Sequence, residues 1–187
     1  MGWRELEGFA NRSDFDLKQH SKFSKKNLEM DDPEYGKILP EVVCEPSLGV
    51  ERALLVFLLD AYEYDKTREN VVLHLDPRLA PYKAAVLPLV NKEEIMKTSK
   101  DVYHDLLGEF NICFDKSGSI GRRYSRNDEI GTPFCVTIDF QSLEDKTVTI
   151  RNRDSTSQIR VEITKLKDVL RRIINDNISF KDAGKIV

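Results

Sequence analysis

Glu45, Ser47, Gly49 and Arg52 fall within one short stretch (EPSLGVER) and place a carboxylate, a hydroxyl, a backbone hinge and a guanidinium close together. A guanidinium near the start of a buried helix needs an anion to meet it, and its flat fork grips two oxygens at once. The elements expected to position this set lie on either side. Lys37–Cys44 (KILPEVVC) predicts a buried strand delivering Glu45 and Ser47 at its carboxyl end, and Gly49 permits a tight turn into a helix over Gly49–Tyr64. Arg52 then stands on the first turn. Leu54, Leu55, Phe57, Leu58 and Leu59 make this helix apolar on nearly every side, which predicts burial. Taken alone, the same spacing also describes a helix N-cap with an acid near the positive end of the helix dipole, and Arg52 as an ordinary salt-bridge partner.

A second group lies in Gly118–Arg126 (GSIGRRYSR). On a helix Arg122 and Arg126 share a face, and Arg123 is displaced from Arg122 by about 100°. The three are candidates for contacts to RNA. GxxG followed by basic residues occurs in KH domains, and a glycine turn can also present helix-N-terminal amides to phosphate. The GxGxxG spacing of a dinucleotide site is absent. Asp128 and Glu129 either pair with these arginines or accept hydrogen bonds from cytosine amino groups. Lys116–Arg126 carries Lys116, Arg122, Arg123 and Arg126 with no acid, and Lys146–Arg172 is also rich in bases. The net charge is nevertheless −3. A basic face on an acidic chain fits a shaped polyanion better than bulk DNA, with solvated surface charge as the alternative.

Other chemistries find little support. His20, His74 and His104 are scattered, and Cys44, Cys113 and Cys135 lack CxxC spacing, so no metal site is expected. The cysteines read as small core residues of a reducing cytosol. No apolar run of membrane-spanning length and no secretory signal is present in the sequence, so neither a membrane association nor an exported location is expected.

The chain divides at Asp76–Pro81 (DPRLAP), whose prolines oppose regular helix. Before this point, strand-like Gly2–Ala10 precedes a short helix capped by Ser13 or Asp14 and running to His20, then a polar loop over Ser21–Gly36; Asp65–Asn70 is expected to be exposed. Beyond it, strands are expected at Tyr82–Val90, Ile112–Asp115 and Phe134–Phe140. Helices are expected at Lys92–Phe110, from Gly118 to Gly131, and over Leu166–Ile174, with a hairpin-like pair at Lys146–Arg151 and Gln158–Ile163. The fold class is therefore α/β, with a mostly parallel mixed sheet and helices on both faces.

Gly2–His20 (GWRELEGFANRSDFDLKQH), Glu45–Arg52, Arg78–Val90 (RLAPYKAAVLPLV), Gly118–Phe140 (GSIGRRYSRNDEIGTPFCVTIDF) and Lys146–Val161 (KTVTIRNRDSTSQIRV) together resemble the homodimeric-type, class IIa glycyl-tRNA synthetases. The resemblance implies the motif 3 end of a partial antiparallel α+β catalytic domain over 1–76 and an anticodon-binding domain over 77–187. It implies Glu45, Pro46, Ser47, Leu48 and Gly49 in the glycine pocket. It further implies Glu5, Leu6, Gly49, Val50, Glu51 and Arg52 in the ATP site, with Arg52 on the phosphates as the catalytic residue. ATP as substrate, Mg²⁺ in the intact enzyme, tRNA(Gly), glycine, a homodimer and a cytoplasmic location follow from the same resemblance. Counterparts of motifs 1 and 2 are not seen, so the 187 residues alone are expected to be inactive. The rival reading is a non-catalytic RNA- or DNA-binding paralogue on the same scaffold, acting as an accessory or regulatory subunit.

Overall fold

A computed structural model describes residues 2–175 and 177–187. The chain forms two units, Met1–Val56 and Phe57–Val187.

In the first unit, β1 (Glu7–Ala10) is followed by α1 (Phe15–Ser24) and by the hairpin β2 (Met30–Asp32) and β3 (Gly36–Ile38). β4 (Glu45–Leu48) then leads into α2 (Val50–Ala61), which runs on into the second unit. β4 pairs antiparallel with β1, bringing Glu45 opposite Ala10 and Leu48 opposite Glu7. Three expectations change here. The strand expected at Lys37–Cys44 ends at Ile38, and Glu45–Leu48 is itself the strand, because its partner in the ladder is Glu7–Ala10. The polar stretch Ser21–Gly36 is not all loop. Helix α1 runs four residues beyond His20, and the Asp32 carboxylate accepts the amides of Glu34 and Tyr35 to close the β2–β3 turn. The apolar helix α2 is not buried: only Ala61 is covered, while Leu54 and Leu59 stand 58% and 63% exposed.

The second unit opens with the hairpin β5 (Tyr62–Asp65) and β6 (Asn70–Leu73). The hairpin stands where the end of the helix, to Tyr64, and the charged segment Asp65–Asn70 are expected from sequence. The Asp65 carboxylate takes the amides of Thr67 and Arg68 and the Thr67 hydroxyl, so the turn is built by side chain-to-backbone bonds that carry no hydrophobic period. Next come β7 (Ala84–Pro88), α3 (Glu93–Leu107), β8 (Ile112–Phe114), α4 (Ile120–Glu129) and β9 (Phe134–Ile138). After these come α5 (Phe140–Asp145), β10 (Thr147–Asn152), β11 (Gln158–Glu162), α6 (Leu166–Ile174) and β12 (Lys185–Ile186).

Their sheet has the order β12-β11-β10-β9-β7-β8. β7 is parallel to β8 and β9, whereas the β9–β10, β10–β11 and β11–β12 pairings are antiparallel. The sheet is thus mixed, but not mostly parallel. The link from β9 to β10 holds only the short α5, too little chain for a parallel crossover. α5 follows from local chemistry, since Asp139 and Ser142 form a reciprocal capping box.

Helices cover both faces. On one, Val86, Val136, Ile138, Val148, Ile150 and Ile159 meet Ile95, Val102 and Leu106 of α3 and Leu166, Val169, Leu170, Ile173 and Ile174 of α6. The α6 positions recur at intervals of three and four, the period of a one-sided helix. On the other face Ala85, Leu87 and Cys135 meet Ile120 and Tyr124 of α4. The smaller cluster is the consequential one, because it leaves part of that face without a helix.

Candidate nucleic-acid interface

Along β10 and β11, apolar and polar residues alternate. Val148, Ile150, Ile159 and Val161 enter the larger core, which sends Thr149, Arg151, Gln158 and Arg160 to the α4 face. The register lines up Thr137, Thr149, Arg160 and Lys185 across four neighbouring strands. A cleft of about 310 Å³ opens here, lined by Tyr124, Thr137, Asp139, Thr149, Gln158 and Arg160 among others. Two hydroxyls, of Thr137 and Thr149, lie nearly buried within it, beside the partly buried amide of Gln158 and the guanidinium of Arg160, whose side chain is 12% exposed. These donors and acceptors, close to an aromatic ring, are what recognition of an unstacked base edge requires.

The lining is held in place from behind. Tyr124 Oη lies 2.8 Å from Thr137 Oγ1, and the Arg151 guanidinium sits 4.7 Å from the centre of the Tyr124 ring. Asp128, 2% exposed, accepts both Arg151 Nη1 and Nη2, at 2.7 and 2.9 Å. Burial lowers the affinity of the Arg151 guanidinium for its proton, but the Asp128 carboxylate outweighs burial and leaves it raised. Burial raises the Tyr124 hydroxyl and keeps it protonated. Arg160 pairs with Asp139 and bonds Thr147 Oγ1 at 3.0 Å. Burial would raise the Asp139 carboxyl, yet the hydrogen bonds from Arg160 and Ser142 hold it below the ordinary carboxylate value.

The three arginines expected to form one basic surface are placed differently from one another. Arg123 turns inward, 3% exposed, and donates to the carbonyls of Pro88, Leu89, Gly118 and Ser119. It takes no part in an exposed surface. Burial lowers its proton affinity, a cost met by these carbonyls. Arg126 is exposed but held by Asp115 and by the Ser117 carbonyl. Arg122 is exposed, and its side chain has no bonded partner among the described residues. Asp128 does pair with arginines, but with Arg151 and Arg68 rather than its neighbours on α4. Tyr124, Thr137, Thr149 and Gln158 were not singled out from sequence as contacts to RNA, whereas Arg160 lies in the base-rich stretch Lys146–Arg172. For Thr149, Gln158 and Arg160 the signal was the alternation in TVTIRN and QIRVE, which assigns Thr, Arg and Gln to a sheet face that apolar residues leave open.

In the first unit the β1–β4 ladder draws the two expected ATP-contacting segments together. Arg52 Nη1 donates to the Glu5 carbonyl, and Leu6, Ser47, Gly49, Val50 and Glu51 are all exposed. Pro46 and Leu48 lie on β4 facing Phe9 and Glu7. Glu45 approaches Arg12 Nε at 3.0 Å as an ion pair, while Arg12 directs its hydrogen bonds to Asp16. Those bonds to Asp16, aided by Glu45, raise the proton affinity of Arg12. Among the described residues no three histidines, cysteines or carboxylates converge as a metal site, and no helix is long and apolar enough to cross a membrane.

Residues 83–173 match the family described as an anticodon binding domain. The chain is similar to the glycine–tRNA ligase of Clostridium acetobutylicum, 48% identical over 177 residues, which cover 93% of this chain and 38% of that protein. It is similar also to the glycine–tRNA ligases of Thermobifida fusca, 50% identical over 175 residues, and Clostridium tetani, 50% identical over 184 residues. The matched segments cover 90% and 96% of this chain and 38% of each relative. The chain thus spans about 38% of the length of the curated relatives it matches.

Proposed function

We propose that this chain, with its anticodon-binding domain and its kinship to glycine–tRNA ligases, is the C-terminal portion of such an enzyme. It would serve the ATP-dependent attachment of glycine to tRNA(Gly). The observation that carries this reading is identity near one half over nearly the whole chain, both units included. Residues 1–76 are read as the end of the catalytic domain and 77–187 as the anticodon-binding domain, in a cytoplasmic homodimer. The non-catalytic alternative gains no support from Glu45, Ser47, Gly49 and Arg52, which a pure binding module does not need.

In this reading glycine is selected by fixing its ammonium and carboxylate, because it offers no side chain to hold. Glu45, with Pro46, Ser47, Leu48 and Gly49 beside it, meets the ammonium. Arg52 grips ATP phosphates next to Glu5, Leu6, Val50 and Glu51. The glycine carboxylate attacks the α-phosphorus, the bond to the bridging oxygen breaks, and pyrophosphate leaves with that electron pair. Positioning and charge stabilisation carry the step, with no side-chain nucleophile. Arg52 bonds the Glu5 carbonyl through one nitrogen, and a guanidinium has further N–H groups for phosphate. Among the described residues no group of carboxylates converges to cage a metal, and Mg²⁺ would come with the ATP phosphates and add to the charge stabilisation there.

The cleft beside Tyr124 and Thr137 is read as the surface that meets unstacked anticodon bases, with Arg122 on the flanking phosphates. The test is binding of the full 187-residue chain to a tRNA(Gly) anticodon stem–loop and to a scrambled loop of equal charge. Preference for the cognate loop is expected, and it should fall in Thr137→Val and Gln158→Ala. Equal affinity for the two loops would refute the anticodon assignment.

A further inference from the structure

Arg68, on the turn of the β5–β6 hairpin, reaches into the network behind the cleft. Its Nε pairs with Asp65 at 2.8 Å, Nη1 donates to Asp128 Oδ2 at 3.3 Å and to the Arg153 carbonyl at 2.8 Å, and Nη2 donates to the Asp154 carbonyl at 2.9 Å. One side chain therefore binds the carboxylate that holds Arg151 and two carbonyls of the chain just beyond Arg151. From Arg151 the contacts continue to the Tyr124 ring and from its hydroxyl to Thr137, which lines the cleft. Asn70 anchors the same hairpin to α4 separately, through the Ser125 carbonyl at 3.0 Å, without touching this series.

We propose that Arg68 is a positioning residue for the RNA-reading face: it fixes Asp128 and the end of β10, and through Arg151 sets the Tyr124 and Thr137 hydroxyls in the cleft. This rests on the reading of the cleft as the anticodon surface. Arg68 contacts no base and no phosphate. Its role is to hold one arrangement of a buried polar series, in which each unsatisfied member would admit others. A lysine cannot replace it, because a point charge has no planar fork with which to reach a carboxylate and two carbonyls together.

The test compares affinities of the full chain for the tRNA(Gly) anticodon stem–loop and the scrambled loop over a range of salt. Arg68→Met and Arg68→Lys should each reduce discrimination between the loops by about threefold to tenfold, the scale of mutations that act through a packed network. The log–log salt slope should stay at the wild-type value, because no phosphate contact is lost. Asn70→Ala, which loosens the hairpin elsewhere, should keep discrimination whatever it does to the melting temperature. In a Tyr124→Phe background Arg68→Lys should have no further effect, because the hydroxyl it positions is gone. If the wild type discriminates and both Arg68 variants match it, or if they change the salt slope, the inference fails and the cleft reading stands. If the wild type itself does not discriminate, both fail.

Discussion

Asp128 places one buried carboxylate against two guanidiniums, so its charge is needed where water cannot substitute. Asp128→Asn should cost about 3–5 kcal/mol in urea-induced unfolding, the penalty for removing one partner of a buried pair. A loss under 1 kcal/mol would mean that water reaches Arg151. The arginines of α4 should separate cleanly. Arg122→Ala is expected to leave the melting temperature unchanged while lowering the salt slope for single-stranded RNA by about 0.7, the value of one phosphate contact. Arg123→Ala should instead destabilise the fold, because it strips the buried Pro88 carbonyl and the partly buried Leu89 carbonyl of their donor. Calorimetry alongside salt titration distinguishes the two, and an Arg123 variant that melts normally would contradict its burial. Sequence made the helix and its spacing legible but not these roles. Helical periodicity relates residues three or four apart, whereas Asp128 finds its partners 23 and 60 positions away.

Among the elements, α6 was legible to the residue and α3 nearly so, because each buries one stripe at helical spacing. α5 and the β5–β6 hairpin were not, since both depend on carboxylates bonding nearby amides, a signal with no hydrophobic period. The same chemistry gives a pH signature. Asp139 caps α5 and pairs with Arg160, and its carboxyl is held below the ordinary value near 3.9, so the folded state carries fewer protons than the unfolded chain in the interval below that value. Its contribution to stability is therefore complete above about pH 4 and lost as pH falls through the lowered folded value. Asp139→Asn should unfold more easily at neutral pH and show a flatter dependence of stability on pH below about 4, checked by urea titrations from pH 3 to 7. An unchanged acid limb would show that other carboxylates govern it. At the other edge of the sheet, a Cβ on Gly184 would stand 2.8 Å from the Arg160 carbonyl, so Gly184→Ala should lift β12 from β11. Faster hydrogen exchange at Val187, whose amide bonds the Gln158 carbonyl, is the expected readout, with the α6 core still protected.

Across the whole molecule, burial is very unevenly distributed. None of the described residues in Met1–Val56 is buried, whereas Phe57–Val187 contains every member of the main apolar clusters. Limited proteolysis should therefore cut first within residues 2–56 and leave a core that includes 84–174; first cleavage between 112 and 153 would be inconsistent with this packing. The expectation of a buried α2 failed for an instructive reason. Composition reports what a helix would favour covering it, not whether anything does, and the apolar surface from Leu54 to Leu59 stays open. The central sheet of the second unit carries a different consequence. Because β10 and β11 send Val148, Ile150, Ile159 and Val161 into the core and Thr149, Gln158 and Arg160 to the cleft, the residues that hold the fold and those of the proposed RNA surface are written on alternate letters of the same strands. On that proposal, Thr149 and Gln158 could be reprogrammed for a different loop while the interleaved apolar positions, and Arg160 with its Asp139 partner, keep the scaffold intact.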